Sequence, residues 1–172
     1  GRPGYDAIAQ AFGGMMSITG DPNGPPQRAK VYTGDYLTAL TGWAATMMAL
    51  WEVKKTGRGQ VIDLAQFEAV AQTQGNCMPL FTGQGALYGH TGNRAPGFQP
   101  YDTFKCKDGW VFIGALGGAI YPRVPRFLGL DPDVYSYEAC SKDSAATQSE
   151  TGRELDRRLR EYCASRSCVE VE

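Results

Sequence analysis

The 172 residues predict a mixed α/β unit followed by a smaller α+β unit, on three observations. A short helical pattern, a long apolar helix, a β-prone run and another helix follow one another from residue 5 to 74, the cadence of an α/β layer. Glycine and proline then crowd residues 75–100. Beyond them, Lys107-Asp108-Gly109 lies between two β-prone runs, and Asp-Gly is a strong hairpin signal.

Each element has a local reason. Residues 1–20 open on an Arg2-Pro3-Gly4 turn and then place Ala7, Ile8, Ala11 and Phe12 at helical spacing until Gly13-Gly14 break it. Gly20 to Pro26 propagates neither helix nor sheet. Tyr36 to Lys55 is rich in Leu, Ala, Met and Trp, with Lys54-Lys55 in its last turn and Gly57 just beyond, which is how a helix ends. Gln60 to Ala65 reads as a short strand ahead of a helix carrying Phe67, Val70 and Ala71. Gly75, Gly83, Gly85, Gly89, Gly92 and Gly97, with Pro79, Pro96 and Pro100, mark residues 75–100 as a linker between a domain over 1–74 and a second over 101–172. Thr103 to Cys106 and Trp110 to Ile113 form the hairpin strands. Gly114, Gly117 and Gly118 after them read as a plain turn. Thr151-Gly152-Arg153-Glu154 matches a capping box ahead of Leu155, Leu159, Tyr162 and Cys163, which predicts an amphipathic helix over about 152–166.

Composition sets the bounds. With 42% hydrophobic and 20% charged residues, the chain is ordinary for a globular protein. Its net charge of −1 gives no reason to expect nucleic acid. Leu37 to Val53, the longest apolar stretch, is interrupted by Thr38, Thr41, Gly42, Thr46 and Glu52, so no membrane span is expected. Five cysteines without a CxxC pair, beside a single histidine, argue against a metal site or a disulfide framework and for reduced thiols in the cytoplasm. Cys163 and Cys168, five apart on one expected helix, should point in different directions.

The chemistry concentrates at Asp35, between the turn residue Gly34 and the start of the long helix. Amide donors and the helix dipole stabilise a carboxylate there by about 0.3–1 kcal/mol. An ionised, held carboxylate can attack an activated carbonyl. A plain N-cap satisfies the same position.

Five ordered motifs decide between the two. Gly1 to Gly14, Tyr32-Thr33-Gly34-Asp35, Lys55 to Asp63, Gly92-Asn93-Arg94, and Tyr101 to Phe104 with Lys107-Asp108-Gly109 together resemble the family III CoA-transferases. The opening run is most similar to the crotonobetainyl-CoA:carnitine CoA-transferase group. The resemblance is good to about residue 130 and only compositional after it. It implies a doubly wound CoA-binding domain of which residues 1–74 are a part, a linker, and part of a small α+β domain. It also implies that the chain is a piece of a protein more than twice as long, assembled as an interlocked homodimer.

On that resemblance Asp35 is the nucleophile. It would move CoA from an acyl-CoA donor to a carboxylic acid acceptor through an aspartyl-CoA thioester, with no cofactor beyond the CoA thioester substrate. Tyr5, Asp6, Gly34 and Arg94 are the candidate substrate or CoA-binding residues. Asp6 either orients the reacting carboxylates or caps its own helix. Gly34 and the helix start are the candidate oxyanion donors. Arg94 offers a guanidinium to phosphate or carboxylate, or serves the structure alone. Asp63 reads as structural, and His90 carries no role. The acyl-CoA racemases of the same superfamily are the enzymatic alternative, but they pair the aspartate with a histidine where this chain has Tyr5-Asp6. An inactive CoA-binding or oligomerisation piece is the non-enzymatic one.

Overall fold

The computed structural model describes residues 4–172, so Gly1 to Pro3, and with them most of the opening turn, lie outside the description. The chain divides into two compact units, Gly1–Gly92 and Asn93–Glu172. The fold is mixed and helix-rich, with one small two-stranded sheet among the described residues.

The first unit is helical: α1 (Asp6–Phe12), α2 (Met15–Ile18), α3 (Thr33–Thr56), α4 (Gln66–Ala71) and α5 (Cys77–Gln84). Helices α1, α3 and α4 pack on one another, burying Ala9, Ala69 and Val70. The end of α1 comes so close to α4 that a Cβ on Gly13 would fall 2.6 Å from Val70 Cβ, which requires glycine there. Gly57 ends α3 as expected, in the left-handed conformation at φ 69° with its N–H donated to Val53 O at 2.8 Å.

Three expectations are corrected here. Helix α3 begins at Thr33 rather than Tyr36, so its N-cap is Tyr32 and Asp35 is the third residue of its first turn. Gln60 to Ala65 forms no strand. A β-prone run needs a neighbour to pair with, and the sheet in the described residues lies wholly in the second unit, leaving Val61 94% exposed. In α1 the apolar stripe is not the buried face: Ile8 and Phe12 stay exposed, while Asp6 and Gln10 are buried. The glycine-rich stretch 75–100 contains α5, and the break between the units falls inside it.

In the second unit β1 (Tyr101–Lys105) and β2 (Trp110–Gly114) pair antiparallel, Lys105 opposite Trp110, around the loop 106–109. Helices α6 (Gly117–Ile120), α7 (Arg123–Phe127), α8 (Tyr137–Cys140), α9 (Ser144–Gln148), α10 (Glu150–Ala164) and α11 (Cys168–Val171) follow. Leu155, Leu159 and Cys163 form the buried stripe of α10. Leu159 and Cys163 meet Phe104, Cys106 and Val111 of the hairpin, and Leu155 meets Tyr121, Val124 and Cys140.

The cap of α10 is also corrected. Ser149, not Thr151, accepts the Gly152 N–H, at 2.9 Å, because the helix starts at Glu150. A full capping box does occur, but at Ser167 and Glu170, where it starts α11. The break at Ser165–Ser167 also turns the chain back, so Cys163 and Cys168 converge on the same hydrophobic cluster as Cys106 instead of pointing apart.

Candidate functional site

Asp35 is exposed in the first turn of α3, and its Oδ1 accepts a hydrogen bond of 2.7 Å from Gln66 Nε2. Oδ2 has no hydrogen-bond partner among the described residues. One oxygen is therefore held and the other is free. Side chains of α1, α3 and α4 fix this arrangement.

Asp6, in the first turn of α1, caps α3 from outside. Its Oδ1 accepts the Gly34 N–H at 2.8 Å, satisfying a helix-start amide that no residue of α3 can reach. Its Oδ2 accepts Gln10 Nε2 at 2.8 Å, and Gln10 Oε1 accepts the Ala29 N–H at 2.8 Å. Gln10 is fully buried, so this network ties the chain ahead of α3 to α1 in surroundings where an unpaired polar group is costly. Gly34 is buried where the helices touch: a Cβ there would fall 3.1 Å from Ala9 Cβ and 3.2 Å from Asp6 Oδ1. Asp6 thus caps neither itself nor its own helix. Tyr5 is the N-cap of α1, makes no side-chain cap bond, and is 67% exposed.

Gln66 also lines a cleft of about 500 Å³, walled by Ile8, Ala9 and Phe12 from α1 and by Ala65, Gln66 and Phe67 at the start of α4, with Gly4 in its lining. Its lining is mainly apolar apart from Gln66. The exposed Ile8–Phe12 stripe of α1 is thus one wall of a cavity that has Gln66, the partner of Asp35, in its lining.

Arg94 belongs to the second unit, where Nη2 donates to Gln99 Oε1 at 2.8 Å and Nη1 lies 3.4 Å from Asp156 Oδ2. Gln99 is itself buried, with Nε2 donating to Cys140 O at 2.9 Å and Gly152 O at 2.8 Å. Arg94 therefore completes a hub joining the start of the hairpin to α8 and α10. Burial pushes the thiols of Cys163 and Cys168 up to about 11, so both stay protonated and unreactive at neutral pH. All five cysteines are free. Among the described residues no cluster of His, Cys, Asp or Glu could hold a metal ion, and no helix is long and apolar enough to cross a membrane.

Gln66 and Gln10 escape a reading of the sequence. Gln66 reaches Asp35 only because α4 packs against α3, and nothing in a glutamine's sequence context announces a partner 31 residues away. Gln10 is Asp6 plus four, a spacing that puts both on one helix face, and that was the available signal.

Residues 1–172 match the model of CoA-transferase family III from end to end. Over 84% of its length the chain is 30% identical to a succinyl-CoA–D-citramalate CoA-transferase of Chloroflexus aurantiacus, of which that covers 37%. Over 99% it is 34% identical to a bile acid CoA-transferase of Clostridium scindens, covering 40% of it. Among solved structures, a CaiB/BaiF family protein of Brucella suis superimposes with a TM-score of 0.75 at 27% identity, over 99% of this chain and 44% of that one.

The chain belongs to CoA-transferase family III. It spans about two fifths of the length of the curated relatives it matches.

Proposed function

We propose that the protein containing these residues transfers CoA from an acyl-CoA donor to a carboxylic acid through an aspartyl-CoA thioester at Asp35, within a doubly wound CoA-binding fold. The observation that carries this reading is a carboxylate at a helix start with one oxygen bonded to Gln66, a residue that also lines an apolar cleft. Transfer between a thioester and a carboxylate changes the free energy little, so the enzyme has only to keep the activation from water. A carboxylate does this. Its free oxygen attacks the thioester carbonyl, the C–S bond breaks, and the CoA thiolate leaves a mixed anhydride. The thiolate then attacks Asp35 Cγ, the bond to the bridging oxygen breaks, and the donor acid departs. The acceptor acid runs both steps backwards.

The cleft supports an acyl group with a substantial apolar body, of the kind named for the Clostridium relative, over a small dicarboxylate. A carnitine-type acid belongs in the assay set on the strength of the opening run. Racemisation gains no support from Asp6 as a second acid/base, since both its oxygens are engaged by Gly34 and Gln10. The apolar surface of α3, where Trp43, Met47, Met48 and Trp51 are exposed, supports assembly with a second copy. The free thiols support a cytoplasmic location.

The test is chemical trapping. Full-length enzyme incubated with acyl-CoA and hydroxylamine should carry a hydroxamate on the peptide containing Asp35. Mass spectra without it, under conditions of turnover, refute the reading.

A further inference from the structure

We infer that Gln66 is the positioning residue of this chemistry, its side-chain amide serving Asp35 Oδ1 in both steps that occur at Asp35 Cγ. The inference rests on the aspartyl reading above and adds a second residue to it. Backbone amides at the start of α3 are the donors that sequence alone suggests for the developing oxyanion, and those of Gly34 and Tyr36 are already committed. The Gly34 N–H goes to Asp6 Oδ1 at 2.8 Å, and the Tyr36 N–H to Tyr32 O at 3.0 Å. The donor that does reach the carboxylate is Gln66 Nε2 at 2.7 Å.

Gln66 is also built into place. It is the first residue of α4, which packs against α3, and its side chain is half-buried along the cleft wall. Its amide oxygen occupies the space a side chain would take at Gly4, where a Cβ would fall only 3.1 Å from it. The amide thus lies between Gly4 and Asp35, bonded to the carboxylate in advance, and a donor held before the reaction costs no reorganisation during it.

The steps assign it a task. When the CoA thiolate adds to Asp35 Cγ of the anhydride, the C=O electron pair moves onto Oδ1, the atom bonded to Gln66. Collapse restores the C=O and breaks the bond to the bridging oxygen, which leaves with the donor carboxylate. Addition of the acceptor carboxylate to the thioester puts the same charge on the same atom, and collapse expels the thiolate. No proton moves in either step. Attack at the substrate's own carbonyl places its charge elsewhere, so Gln66 affects the two Cγ steps and not substrate binding.

The variants Gln66→Met, which keeps the side chain's reach without a donor, and Gln66→Glu, which keeps its shape, test this in the full-length enzyme. In single-turnover quench with acyl-CoA alone, both should form the Asp35 thioester about a hundredfold more slowly than wild type. The dissociation constant for acyl-CoA should stay within twofold or so and the melting temperature unchanged, a split that a merely structural residue would not produce. Thioester formation at the wild-type rate in both variants overturns the inference, as does a loss of rate matched by an equal loss of affinity. Wild-type enzyme that turns over with no Asp35 thioester overturns the aspartyl reading itself.

Discussion

The Asp6 carboxylate accepts the Gly34 amide at 2.8 Å across 28 residues of sequence, so the first turn of α1 caps the helix that presents Asp35. The position of the candidate nucleophile therefore depends on a contact between two helices and not only on its own helix start. Asp6→Ala would strand the Gly34 N–H, at about 1–3 kcal/mol for an unsatisfied buried donor, and leave Gln10 Nε2 only its longer bonds to Ala29 O at 3.3 Å and Val31 O at 3.4 Å. Urea unfolding of the full-length protein should show a loss of that order, with a smaller one for Asp6→Asn, which keeps an acceptor. An Asp6→Ala protein of wild-type stability but no activity would instead place Asp6 directly on the reacting carboxylates.

Gly34→Ala sets two effects against each other. Alanine is the better helix former by about 1 kcal/mol. Its Cβ, however, would fall 3.1 Å from Ala9 Cβ and 3.3 Å from the Asp6 backbone oxygen, atoms that move only if α1 moves. The clash should win, lowering both the melting temperature and the transfer rate. A stabilised, fully active Gly34→Ala protein would show that α1 and α3 do not approach this closely.

Much of this local order can be read from residues alone. The stop of α3 at Gly57, the hairpin around Lys107-Asp108-Gly109 and the Leu155–Leu159–Cys163 stripe follow from rules that involve only neighbouring residues. The errors have a common cause in contacts that run between elements. Gln60 to Ala65 has strand composition, but pairing decides whether a strand forms. Ser149 took the cap of α10 from Thr151, and a serine pair at 165 and 167 ended a helix that composition would continue. At the site, Asp35 is legible because its position in a motif is local. Its hydrogen bond to Gln66 and the capping of Gly34 by Asp6 depend on how three helices pack, and neither is written in the spacing.

The cleft makes acyl selectivity testable. Ile8→Trp places a large ring in the space between α1 and the start of α4, while Asp35 and Gln66 are untouched. In full-length enzyme, kcat/KM should fall about tenfold or more for a bulky apolar acyl-CoA, an effect of 1–3 kcal/mol in a hydrophobic pocket, and change little for acetyl-CoA. Equal losses for both substrates would remove the cleft from substrate recognition.

Acid should act on α10 through Glu154. Hydrogen bonds from Arg157 and then Arg158 hold its carboxyl down, from an ordinary value of 4.5 to about 2. A carboxylate depressed in the folded state contributes its stability fully above the unfolded value and loses it as the pH falls through the folded one. Wild type should therefore be the more stable form above about pH 5, with its advantage over Glu154→Gln shrinking between about pH 5 and 2. The pair is surface-exposed, so the difference should be small and should fall with added salt. A difference in melting temperature that stays constant across this window would remove the ion pairs as its cause.

The decisive substitution is at Asp35, and the structure makes it cleaner than its place at a helix start suggests. Because Tyr32 is the N-cap and Asp6 caps the Gly34 amide, Asp35 makes no capping bond of its own. Removing its charge should cost only the dipole contribution of about 0.3–1 kcal/mol. Asp35→Asn keeps the shape and the Oδ1 acceptor for Gln66 but replaces the free oxygen with an amide nitrogen that cannot act as the nucleophile. Full-length Asp35→Asn and Asp35→Ala should both fold, with melting temperatures within a few degrees of wild type. Transfer should fall about 10⁴-fold or more, as when other covalent nucleophiles are removed. Near-normal transfer by freshly purified Asp35→Asn, with its mass confirming an intact amide, would exclude the anhydride route at this residue.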